Sequence, residues 1–141
     1  MEIDCAMFAS GAEASVETKL LHVFAGGFDR LIVQGLPGAI APFYLVTRVR
    51  KNGVQEAETH ELTLRVSNPE GEEKELVPQG KVGFKFVKST YPDSDSYATI
   101  IVQIQIAVRL EGRYKFVIFI DGEEKRRLDL TIVQATANQE N

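Results

Sequence analysis

Ala98-Thr99-Ile100-Ile101-Val102-Gln103-Ile104-Gln105-Ile106-Ala107-Val108-Arg109-Leu110 sets Ile100, Val102, Ile104, Ile106, Val108 and Leu110 at strict intervals of two. That period belongs to a β-strand, whose successive side chains point to opposite faces. Thr99, Gln103, Gln105 and Arg109 lie among the alternate positions, so one face is buried and the other wet, as in an antiparallel sheet. Ile101 interrupts the otherwise polar face. At ~3.3 Å per residue the stretch extends to roughly 40 Å, about twice the usual strand length. Such a strand either bends and switches sheets within one chain or projects and pairs with its copy across a two-fold axis. The apolar run Ile100-Ile101-Val102 favours the second, which predicts a homodimer with Ile101 in the interface.

The same alternation recurs along most of the chain. Ile3, Cys5 and Met7 alternate with polar or small residues and mark a first strand, in which Cys5 reads as a small core residue. Leu20 to Ala25 and Phe28 to Val33 flank Gly26-Gly27, the composition of a tight hairpin. Leu36-Pro37-Gly38-Ala39 has the composition of a type II turn. Phe43 to Arg50 ends at Asn52-Gly53, residues 60–67 form a half-buried strand, and Asn68-Pro69-Glu70-Gly71 suits a type I turn. Val82, Phe84 and Phe86, with Lys81, Lys85 and Lys88 nearby, read as a sheet-edge strand. A loop from Ser89 to Tyr97 leads into the long strand.

The last hairpin constrains itself. Tyr114, Phe116, Ile118 and Ile120 share one face, as do Leu128, Leu130 and Ile132, with Asp121-Gly122 between. A two-residue loop pairs Ile120 with Glu123 and sets Phe116 against Arg127. One extra residue restores even-to-even pairing, which predicts a three-residue loop with Gly122 at positive φ in a G1 bulge. Val117 and Phe119 are also apolar, so this strand is expected to be central and covered on both faces. No segment carries an apolar stripe at helical spacing. The expected architecture is an all-β antiparallel sandwich of about 8–10 strands, one domain over 1–134, with 135–141 a polar, frayed tail.

Composition excludes several classes. Sixteen basic against twenty acidic residues give a net charge of −4, without the footprint of a general nucleic-acid binder. No apolar run approaches the ~20 residues that span a bilayer. The opening Met1-Glu2-Ile3-Asp4 lacks the basic and then apolar run of a signal peptide, and the single Cys5 makes no intrachain disulfide; together these predict a cytoplasmic protein. His22 and His60 have no partner at zinc-ligand spacing. Asp93 and Asp95 resemble the start of a calcium loop, but its sixth and twelfth positions are Ala98 and Ile104 rather than Gly and Glu. No metal or cofactor is expected. Nucleophile elbows and phosphate-cradling glycine loops are missing. Lys125-Arg126-Arg127 reads as a solvated strand.

Glu111-Gly112-Arg113-Tyr114 before an alternating strand resembles the tyrosine corner of immunoglobulin-like and fibronectin-type sandwiches. The resemblance implies that the Tyr114 hydroxyl ties back to an upstream carbonyl. The chain lacks tryptophan and a cysteine pair, so it implies the broad immunoglobulin-like sandwich and not the superfamily. Glu2-Ile3-Asp4-Cys5-Ala6-Met7-Phe8, Gly27-Phe28-Asp29-Arg30, Asn68-Pro69-Glu70-Gly71 and Gly112-Arg113-Tyr114-Lys115-Phe116 running to Asp121-Gly122 make the chain similar to a family of small uncharacterised bacterial proteins. That likeness implies a sandwich and no activity.

Abundant turn and core signals beside no catalytic constellation predict a non-enzymatic protein-interaction or scaffold module. The alternative is a carbohydrate- or peptide-binding sandwich, with loops 26–29, 89–97 and 121–124 gathered at one end. Phe28, Asp29, Tyr91, Asp93, Asp95 and Tyr97 would then contact the ligand. A hydrolytic enzyme ranks third and requires His22 or His60 beside a Ser or Cys and a carboxylate.

Overall fold

The computed structural model describes residues 1–15, 20–75, 81–89, 91 and 93–135. Two sheets pack face to face as a β-sandwich. The first has the order β2 (Leu21–Phe28), β1 (Glu2–Ala14), β5 (Phe43–Asn52), β9 (Asp95–Ile104), all antiparallel. The second has the order β3 (Arg30–Val33), β12 (Glu123–Gln134), β11 (Gly112–Ile120), β6 (Glu58–Ser67) and β7 (Glu73–Glu75), with β8 (Val82–Phe86) also on the outer side of β6. Its β3–β12 pair is parallel. A two-stranded ladder joins β4 (Gly38–Ala39) to β10 (Ala107–Val108). Residues 136–141 of the expected tail lie outside the described residues.

Alternation builds the core. Leu45, Leu62, Leu64, Phe116, Ile118, Leu130 and Ile132 are fully buried between the sheets. Phe116 packs edge-on against Phe8 and Phe43, with centroids 4.9 and 6.5 Å away, a favourable geometry for aromatic rings. The Tyr114 hydroxyl donates to the Leu110 carbonyl at 2.9 Å, and burial pushes its phenol pKa up. The bond is the one its sequence context implies.

Four expectations are corrected, three of them through backbone irregularities. The long strand is broken: β9 ends at Ile104, and Ala107–Val108 pair instead with β4. Gly26-Gly27 is no hairpin. β2 runs through it to Phe28, where the ladder to β1 steps from Phe8↔Phe28 to Ala9↔Gly26 around Gly27 at φ 86°. The chain then crosses to the other sheet at Asp29. Gly38 does not occupy positive φ, as a type II turn requires; it follows the cis Leu36–Pro37 bond and pairs with Val108. In β1 the ladder skips Asp4, with Ile3 facing Val49 and Cys5 facing Arg48. One skipped residue exchanges faces, so Cys5 lies half-buried on the outer face and not in the core.

The hairpin parity argument holds, but the extra residue sits elsewhere. Ile120 pairs with Glu123 across Asp121-Gly122, both at positive φ, so the loop has two residues and not three. Phe119 pairs with Glu124 and Ile118 with Arg126, leaving Lys125 as the bulge and bringing Phe116 opposite Leu128. The bulge also changes how the basic run reads: Lys125 Nζ donates to the Met1 carbonyl at 3.3 Å and Arg126 to the Ile3 carbonyl at 2.9 Å. These half-buried side chains link the two sheets, while Arg127 stays exposed beside Glu124. β11 is central, between β12 and β6. Its outer face is only half covered at Val117 and Phe119, rather than buried; Arg65 lies 5.0 Å over the Phe119 ring.

Candidate functional site

The sandwich is open along one side. β9 ends the first sheet and β8 lies on the margin of the second, and between them runs a groove of about 770 Å3. Arg48, Val82, Lys85, Val87, Tyr97 and Ile101 are among its walls. Tyr97 is 44% exposed, and the Arg48 guanidinium lies 3.9 Å above its ring, a cation–π contact that also holds Arg48 3.5 Å from Asp4. Ile101 is half-buried on the outer face. The ladders set Met7 beside Val46 and Val46 beside Ile101, so an apolar row crosses the sheet and stops at this edge.

Above the groove, the β8–β9 loop is tied to the β5–β6 connection. Ser89 N–H donates to the Val54 carbonyl at 2.7 Å, and Val54 N–H returns a bond to Ser89 Oγ at 3.0 Å. Asn52 Nδ2 donates to the Asp93 carbonyl at 2.6 Å and to Asp95 Oδ1 at 3.1 Å. These two aspartates are therefore braced by Asn52. A second hollow of about 590 Å3 lies here, lined by Gly53, Glu56, Lys88, Tyr91 and Asp93 among others, with Tyr91 72% exposed.

A charged cluster occupies the same end. His60 Nδ1 is 2.5 Å from Asp121 Oδ2 and Nε2 is 3.2 Å from Glu58 Oε1, while Lys51 contacts Glu58. The ring stacks on Phe84 at 5.6 Å. The Glu61 N–H, donated to Asp121 Oδ1 at 3.0 Å, together with His60 holds the Asp121 carboxyl below its usual pKa. Lys51, followed by His60, does the same for Glu58. Both ring nitrogens of His60 are thus engaged by carboxylates, which leaves neither to activate a hydroxyl or thiol. Among the described residues no three His, Cys, Asp or Glu side chains converge to hold a metal ion.

The residues expected to meet a ligand fall into two groups. Asp95 and Tyr97 line the groove, as does Ile101, the residue expected in a homodimer interface, and Tyr91 and Asp93 line the adjoining hollow. Asp95 and Tyr97 sit within β9 rather than in the preceding loop. Phe28 and Asp29 lie apart: Phe28 stacks on Phe8 and lines a separate hollow of about 450 Å3 with Leu31 and Phe43, and the Asp29 carbonyl accepts from Thr131 N–H. Loops 89–97 and 121–124 share an end; loop 26–29 does not join them. Reading the sequence alone missed Arg48, Lys85 and Glu58 as site residues, and weighed His60 only for a metal or hydrolytic role. Arg48 meets Tyr97 only through the β5–β9 register, which no local pattern specifies.

Among the described residues no helix is long and apolar enough to cross a membrane. No curated protein matches the chain. The model of a family of unknown function, DUF6941, matches residues 4–133, from the bulged first strand to the end of the last hairpin, and the chain belongs to that family.

Proposed function

We propose that the protein is a non-enzymatic interaction module that engages a partner along the β9 edge. The observation that supports this most is the chemistry of that edge. From Ser96 to Val108 there is no charged residue and no proline, although β9 pairs on one side only among the described residues. Exposed strand edges invite pairing, and sheets ordinarily blunt them with charge, proline, bulges or shortness. The other margins are blunted: β8 has five residues with Lys81, Lys85 and Lys88 in or beside it, β3 has four, β7 has three, and β2 carries the bulge at Gly27. β9 has ten residues, no proline and no bulge against β5, and its one charge is Asp95 at the first position. A partner strand laid along it would gain main-chain hydrogen bonds and cover Tyr97 and Ile101.

Site-specific photocrosslinking in the source cell tests this. A benzoylphenylalanine at Tyr97 is expected to yield discrete protein adducts, and one at Lys115, exposed on the opposite sheet, none. Equal labelling at both positions, or no adduct at Tyr97, overturns the proposal.

A further inference from the structure

We infer that the partner strand is β9 of a second copy of this chain, added antiparallel about a two-fold axis at Ile101. The inference rests on β9 being the pairing edge, and three observations choose the occupant. The apolar row Met7, Val46, Ile101 ends at the edge, and a two-fold axis there continues it into the copied row, with Ile101 against Ile101. Such isologous closure leaves no further edge to propagate from. The same operator sets Thr99 opposite Gln103 on the outer face, and Ala98 opposite Ile104 and Ile100 opposite Val102 on the inner one, so polar meets polar and apolar meets apolar.

Symmetry fixes the direction: a two-fold axis perpendicular to the sheet makes the pairing antiparallel and keeps the outer face of one copy continuous with the outer face of the other. The break after Ile104 fits the same picture, because the straight part of β9 is then Asp95–Ile104, and Ile101 lies within it. The long strand therefore both turns within its own chain and retains an edge for a copy.

Sedimentation equilibrium of the full chain at 5–50 µM (about the concentration range for a typical weak homodimer) provides the test. The wild type is expected to sediment as a dimer of the 15.7 kDa chain. Ile101→Lys and, because Ile101 is half-buried, the fully surface Thr99→Lys are each expected to weaken it by about ten-fold or more. In a Cys5→Ser background, Ile101→Cys is expected to crosslink to itself with a short bis-maleimide and Lys115→Cys is not. A monomer throughout the range, or a dimer indifferent to both lysines, overturns the inference. A monomer whose Tyr97 position still photocrosslinks to another protein overturns self-pairing alone and leaves the interaction-module reading standing; a monomer with no adduct overturns both.

Discussion

Gly112→Ala is expected to destabilise the fold more than any other single alanine at a turn glycine, and the structure separates the two reasons. Gly112 opens β11 at φ +137°, and a Cβ there would stand 2.8 Å from Pro69 Cγ and 2.9 Å from Pro69 Cβ. Pro69 cannot swing away as a long side chain would. It belongs to the turn in which Asn68 Oδ1 accepts the Glu70 and Glu72 N–H groups at 2.9 and 3.0 Å. Positive φ costs a residue bearing a Cβ about 1–2 kcal/mol, and forcing an atom into a filled space costs about 1–3 more. The sum is about 2–5 kcal/mol. Gly122 supplies the control: it sits at φ +82° with nothing within 4 Å of an added Cβ, so Gly122→Ala is expected to cost only the backbone part, about 1–2 kcal/mol. With an m-value of about 2 kcal/mol/M, the urea midpoint followed by far-ultraviolet circular dichroism falls by roughly 1–2.5 M for the first variant and 0.5–1 M for the second. Equal shifts would refute the Pro69 contact, and an unchanged midpoint for Gly122→Ala would refute the turn geometry.

Three further outcomes follow from the same fold. Deleting Lys125 removes the bulge but keeps Ile118 opposite Arg126 and Phe116 opposite Leu128 in a regular ladder, so the apolar set stays on the core face; cooperative thermal unfolding is expected to persist, and its loss would contradict the parity argument. Thr47 Oγ1 is fully buried without a hydrogen-bond partner, so Thr47→Val is expected to raise stability by about 1 kcal/mol in a urea titration, and a loss would show that the hydroxyl is satisfied. The carboxyls of Asp121 and Glu58 are held below their usual pKa, so the stability they contribute is fully present above their unfolded values of about 4 and lost as pH falls through the lower folded ones. Asp121→Asn is therefore expected to be less stable than the wild type at pH 7, with the gap closing below about pH 4; a gap constant with pH would refute the ion pair.

The inward faces of β9, β11 and β12 were legible because period-two alternation is a direct readout of burial on a pleated strand. The need for one extra residue in the last hairpin was legible too, since Phe116 and Leu128 can share a face only if parity changes. Its place was not: a bulge at Lys125 costs the ladder one pairing and leaves no compositional mark. Gly26-Gly27 shows the converse, because the glycines that permit positive φ in a hairpin permit it equally in a bulged strand. The same ambiguity hid the skip at Asp4 that turns Cys5 outward. Of the candidate site, Tyr97 and Ile101 could be singled out as apolar residues on a wet face, while the groove beside them could not, because edge position is a property of strand order.

Hydrogen exchange along β9 as a function of protein concentration tests the central claim most directly. In a free edge strand alternate amides point to solvent and exchange rapidly, whereas a paired strand protects them. Within residues 97–104, the amides directed away from β5 are expected to be protected at high concentration and to lose that protection on dilution, with the β2 and β3 margins unchanged. Rapid exchange of those β9 amides at every concentration would contradict the account.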